Sequence, residues 1–117
     1  MRKLINSKYR HLYGQLDIFV NTDYFELNGE TLYNVGRNLV KRFQWEGMDI
    51  VVKRFGRITS FNRLMYSTVR ESKAMRAYKN ASKLREMGIS TPEEIAVIET
   101  FSHGMLLESY FISAYTP

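Results

Sequence analysis

The sharpest chemical feature of the sequence is an apolar, strand-like run ending in lysine, Val51-Val52-Lys53. Strand alternation puts Val51 and Lys53 on one face, where a small apolar side chain can roof a nucleotide base and the lysine two positions on can reach its phosphates. A plainer role also fits, because lysine blunts a sheet edge against pairing with another chain. Upstream, Gly36-Arg37-Asn38 separates two strand-like runs and is followed by Val40. Backbone amides in such a turn can cradle phosphate, and Arg37 adds a bidentate donor, although a lone glycine between strands is ordinarily just a turn. Its weight comes from lying one hairpin before Lys53.

Other chemistry is weakly supported. The two histidines, His11 and His103, fall in a loosely patterned N-terminus and a hairpin, so neither a histidine metal site nor a catalytic triad is expected. With no cysteine, thiolate zinc sites, iron–sulfur clusters and cysteine nucleophiles are excluded. Glu46 and Asp49 read as turn residues, and Glu93-Glu94 as a solvated strand edge. The eight tyrosines and seven phenylalanines read as core and sheet faces rather than base-stacking platforms.

The elements that must position these residues are mostly strands. Residues 1–29 read as a weakly patterned N-terminal extension with a short strand at Leu16–Val20, and 30–117 as the main unit. Thr31–Val35, Leu39–Trp45 and Ile50–Phe55 form an antiparallel meander with turns at Gly36–Asn38 and Glu46–Asp49. Within the second of these, Leu39, Phe43 and Trp45 share one face, and Val40, Arg42 and Gln44 the other. A helix is expected over Thr68–Met87, opened by a capping box at Thr68 and Glu71 and stopped by Gly88 ahead of Pro92. Its stripe of Ala74, Ala77, Tyr78, Ala81 and Leu84 should lie on the sheet. Strands return at Ile95–Phe101 and Met105–Tyr115 around Ser102-His103-Gly104. The fold class is α+β, a five-stranded antiparallel sheet with one long covering helix.

At 117 residues, 44% hydrophobic and 25% charged, the chain is an ordinary globular domain that needs no cofactor, metal or disulfide to fold. The same length is too short for a complete two-lobed phosphotransferase. The net charge of +5 favours an anionic partner, but the basic residues are spread from Arg2 to Arg85 without a block, which makes nucleic acid a poor candidate. No apolar run approaches the roughly 18–20 residues of a membrane span, and no signal core follows Met1, so a cytoplasmic protein is expected.

Taken in order, Gly36-Arg37-Asn38, Val51-Val52-Lys53-Arg54-Phe55, the run from Arg70 to Ala74, the run from Ala81 to Leu84, the run from Met87 to Pro92, and Ser109-Tyr110-Phe111 resemble the N-terminal part of the lipopolysaccharide core (Kdo/heptose) kinases. That family is distantly similar to RIO and eukaryotic-type protein kinases. The resemblance covers Glu30 to Tyr115 and is carried above all by Ser72-Lys73-Ala74 with the segment from Gly88 to Pro92.

The resemblance implies a kinase N-lobe that binds ATP with Mg²⁺ as part of a full-length protein. Lys53 would bind phosphate, the loop of Gly36, Arg37 and Asn38 would cover it, Val40 and Val51 would pack on adenine, and Ile112–Tyr115, with Ile112 and Ala114 as the named contacts, would be the hinge whose backbone pairs with the base edge. The helix position that usually offers a glutamate to the lysine is held by Ala77, a pseudokinase-like departure. Catalytic and metal-binding residues belong to the C-lobe, so none is expected in this chain, and 117 residues alone should not transfer phosphate. The implied partners are the missing C-lobe and a lipopolysaccharide core acceptor at the membrane face, where the protein would be peripheral. Two other readings stand beside this one. One is a small basic module that binds nucleic acid or a protein without chemistry, and the other is a scaffold that forms a homodimer through the exposed lobe interface.

Overall fold

A computed structural model describes residues 1–56, 71–102 and 105–116. Six strands form one antiparallel sheet: β1 (Arg2–Ile5), β2 (Glu30–Val35), β3 (Asn38–Trp45), β4 (Met48–Phe55), β5 (Glu94–Ser102) and β6 (Met105–Ala114). Their order across the sheet is β1-β5-β6-β4-β3-β2. The expected five strands become six because Arg2–Ile5 pairs along β5, with Lys3 opposite Ile98 and Ile5 opposite Ala96.

Two-residue turns set the register of β2, β3 and β4. Glu46 and Gly47 both take positive φ, 51° and 75°, the backbone twist that joins right-twisted strands most directly. Trp45 therefore stands opposite Met48, and Asp49, expected in the turn, becomes a strand residue opposite Gln44. At the other hairpin Gly36 takes φ 61°, and Val35 stands opposite Asn38.

The helix falls where its period predicts, although its start differs. Helix α2 spans Lys73–Glu86, and the Ser72 side chain, not Thr68, caps it by accepting from the Met75 amide at 3.1 Å. Thr68 lies outside the described residues, and Glu71 pairs with Lys79 instead of closing a capping box. At the other end Gly88 (φ 79°) donates to the Arg85 carbonyl and Ile89 to the Leu84 carbonyl, a paired arrangement that satisfies the last orphan carbonyls. Ala74 and Ala81 are buried as expected, whereas Leu84, in the last turn, is 36% exposed.

The largest correction concerns the N-terminus. Leu16–Val20 is not a strand: Ser7–Val20 runs as 3₁₀ turns and continues into helix α1 (Thr22–Leu27). Leu12, Leu16, Phe19 and Phe25 from this stretch are buried with Phe43, Trp45, Ile50, Val52, Ile98, Tyr110 and Ile112 in the hydrophobic core. Burying each large side chain is worth about 1.5–3 kcal/mol, so residues expected to form a loose extension supply one wall of the core. Burial within it pushes the Tyr110 hydroxyl up to about 12.

Lys41 shares this face and is 3% exposed. Its Nζ donates to the Phe25 and Glu26 carbonyls at 2.8 and 3.0 Å, satisfying the end of α1. Burial holds the amine below its usual value. Among the described residues no helix is long and apolar enough to cross a membrane.

Candidate functional site

Alternation gives the sheet a second face, opposite the wall formed by residues 1–27. Cross-strand register lines up Val40, Lys53, Phe111 and Val97 as one row on it. Arg42, Val51 and Ser113 form the next row on one side, and Asn38, Phe55, Ser109 and Glu99 the row on the other. Helix α2 packs against β5, β6 and β4. Val97 is fully buried yet lies outside the core of the first face, as do Ala74 and Ala81, which places α2 over this second one.

The expected alternation of Val40, Val51 and Lys53 is found in the sheet. Val40 stands directly opposite Lys53, and Val51 precedes it by two residues on the same side. All three are half-buried. The Lys53 Nζ lies 5.0 Å from the centroid of the Phe55 ring, and among the described residues it forms no ion pair. Ala77 offers no carboxylate, and Glu71 is engaged by Lys79. The amine is thus held along an aromatic ring while its charge stays available to an anion.

The turn at Gly36–Asn38 is tied to the end of the lysine strand. Asn38 pairs with Phe55, and a Cβ added at Gly56 would sit 2.2 Å from the Arg37 carbonyl oxygen. Glycine at 56 is what lets the turn approach β4 so closely. At Gly36 itself no atom of the described residues lies within 4 Å of an added Cβ, so among them that side of the turn is open.

Ile112 and Ala114, both within the expected hinge, lie at the end of β6. Ile112 lies in the ladder between Val52 and Ala96, with its fully buried side chain on the opposite face. Ala114 donates its amide to the Glu93 carbonyl at 2.9 Å. The Ala114 amide is therefore not available to a base edge in this arrangement.

Other polar groups went unread in the sequence. Arg42 forks onto Asp49, with Nε to Oδ1 at 2.8 Å and Nη2 to Oδ2 at 2.5 Å, while its guanidinium carbon lies 3.8 Å from the Tyr115 ring centroid. These hydrogen bonds hold the Asp49 carboxyl below its usual value and the guanidinium above its own. Glu94, expected at a solvated edge, is 1% exposed and bound by Arg85 and Asn6. Glu93 beside it accepts from the Tyr9 hydroxyl, and that bond holds its carboxyl low. Glu99 is equally buried and takes Nε of Arg2 at 2.5 Å. Pairing, not exposure, explains these acids.

Two pockets are bordered by described residues. One of about 410 Å³ borders Gly29, Glu30, Arg42, Phe43 and Gln44, and another of about 460 Å³ borders Asn80, Lys83, Leu84 and Met87 at the end of α2. Among the described residues no three acidic or histidine side chains gather to hold a metal ion. His11 lies exposed in the 3₁₀ segment, and His103 is outside the described residues.

No family model matches the chain, and no curated protein matches it. A solved structure of WaaP in complex with acyl carrier protein is similar over 98% of this chain, with a TM-score of 0.61 and 17% identity. The chain shares its fold with part of that protein. At this identity the likeness carries the fold alone, an α+β unit whose six-stranded antiparallel sheet bears a packed helix. The chain spans 41% of the WaaP chain.

Proposed function

We propose that this chain is the ATP-binding lobe of a lipopolysaccharide core (Kdo/heptose) kinase-like protein. The observation that carries the reading is the direct pairing of Val40 with Lys53 on the α2 face, one hairpin from the open Gly36 turn. In this reading Val40 and Val51 hold the adenine, Lys53 neutralises phosphate charge, and the turn of Gly36, Arg37 and Asn38 covers the phosphates. Residues beyond Ala114 reach the base edge.

The residues present fit a nucleotide. Lys53 carries a charge that no acid on the described residues neutralises, and the turn is open on its Gly36 side. They do not fit a resident metal, since no donor cluster exists among them. Ligands for Mg²⁺ and the base that orients an acceptor hydroxyl belong, in this proposal, to a C-lobe outside the chain's span. With that lobe, the full protein would move the γ-phosphate of ATP to a core sugar hydroxyl at a membrane face.

The basic-module reading is less well supported. Arg2, Lys3, Lys8, Arg42, Arg54, Lys79 and Arg85 are each tied to an acidic residue, and Lys41 is buried. Titrating the chain with a fluorescent ATP analogue tests the proposal. Saturable binding that unlabelled ATP displaces supports it, and no binding at millimolar nucleotide removes it.

A further inference from the structure

We infer that Arg42 is a positioning residue that fixes the chain beyond β6 against the base side of the proposed nucleotide site. The inference rests on the ATP-binding reading, and its geometry stands independently. Arg42 lies on β3 directly opposite Val51, on the face that carries Lys53. Its side chain crosses β4, forks onto Asp49 and covers Tyr115, with the guanidinium carbon 3.8 Å from the ring centroid.

Tyr115 is also tied through its backbone, donating its amide to the Asp49 carbonyl at 2.9 Å. One strand residue thus anchors the segment twice, by its carbonyl directly and by its carboxylate through Arg42. A planar fork is needed for this, because a lysine ammonium can neither chelate both carboxylate oxygens nor stack flat on a ring. Ile112 lies inside the ladder, and the amides of Ala114 and Tyr115 are given to Glu93 and Asp49, so in this inference a base edge is met by carbonyls of this segment or by Thr116, whose position the Tyr115 anchor sets. The order of the segment then decides how well a base is held, and the phosphates are left to Lys53.

The division of labour separates two ligands. ATP presents a base and phosphates, whereas inorganic tripolyphosphate presents phosphates alone. Both should be titrated against wild type, Arg42→Ala, Arg42→Lys and Asp49→Asn, with hydrogen exchange of the Tyr115 amide followed without ligand. Arg42→Ala should weaken ATP roughly tenfold and leave tripolyphosphate unchanged. Arg42→Lys should not rescue, Asp49→Asn should lose ATP affinity in the same direction, and the Tyr115 amide should exchange faster in all three variants. Equal loss of both ligands, unchanged ATP affinity in Arg42→Ala, rescue by lysine, or unchanged Tyr115 exchange would each overturn the role. If wild type binds neither ligand, the ATP reading itself fails, and faster Tyr115 exchange then marks Arg42 as a structural clamp alone.

Discussion

Phe19 meets Trp45 edge to face, with ring centroids 5.2 Å apart, so the first quarter of the chain is packed onto the middle of the sheet. The same Phe19 ring lies 5.3 Å from Phe43 and is fully buried. Phe19→Ala removes a large ring from a site that cannot collapse around the gap, and should cost about 3–5 kcal/mol. Trp45 is the sole tryptophan, so its fluorescence in a urea titration reports the loss directly. A midpoint within error of wild type would mean that the N-terminal segment is dispensable.

Gly56 is the second test, because its partner is backbone and cannot swing away. Gly56→Ala places a methyl group 2.2 Å from the Arg37 carbonyl oxygen, and either β4 or the Gly36 turn must move. A destabilisation of about 1–3 kcal/mol is expected, together with changed amide shifts at Arg37 and Asn38. Gly36→Ala meets no atom of the described residues and is disfavoured mainly by its positive φ, so it should cost less, about 1 kcal/mol.

The contact between Tyr9 and Glu93 predicts opposite behaviour at the two ends of the pH range. The Tyr9 hydroxyl holds the Glu93 carboxyl below its ordinary value of 4.5. The stability this gives is present above that value and is lost as pH falls through the depressed one. Burial, reinforced by Glu93, pushes the Tyr9 hydroxyl from 10.0 to about 12. That contribution is complete below pH 10 and is lost as pH rises through about 12. Tyr9→Phe should therefore lower stability at neutral pH by about 1.5–3 kcal/mol and flatten the profile at both extremes. Urea midpoints measured across pH decide it, and a variant curve parallel to wild type would contradict the assignment.

Much of the sheet was legible because β2 to β6 carry alternating patterns joined by short turns, and the helix stop because Gly88 must adopt positive φ. Strand β1 was not, since Arg2–Ile5 is short and half polar and takes its partners from β5, far away in sequence. The helical spacing of Leu12, Leu16 and Phe19 was a signal for the buried N-terminal wall that a strand reading overrode. Glu94 looked solvated because a sequence does not reveal that Arg85 will reach it.

Within the candidate site, alternation alone placed Val40, Val51 and Lys53 correctly. It could not reveal that Ile112 lies inside the ladder and that Ala114 gives its amide to the Glu93 carbonyl. Nor could it show Arg42 crossing a strand to meet Asp49 and Tyr115, because that contact depends on register between three strands.

The central claim is that Lys53 on the α2 face meets the phosphates of a nucleotide. Its most direct test compares ATP affinity of wild type and Lys53→Ala by the fluorescent titration, with the urea midpoint as a control for folding. Lys53 is half-buried and free of ion pairs among the described residues, so stability should stay within about 0.5 kcal/mol. Loss of a charge-assisted phosphate contact should weaken ATP by roughly tenfold or more. A folded Lys53→Ala protein that binds ATP as tightly as wild type would contradict the account.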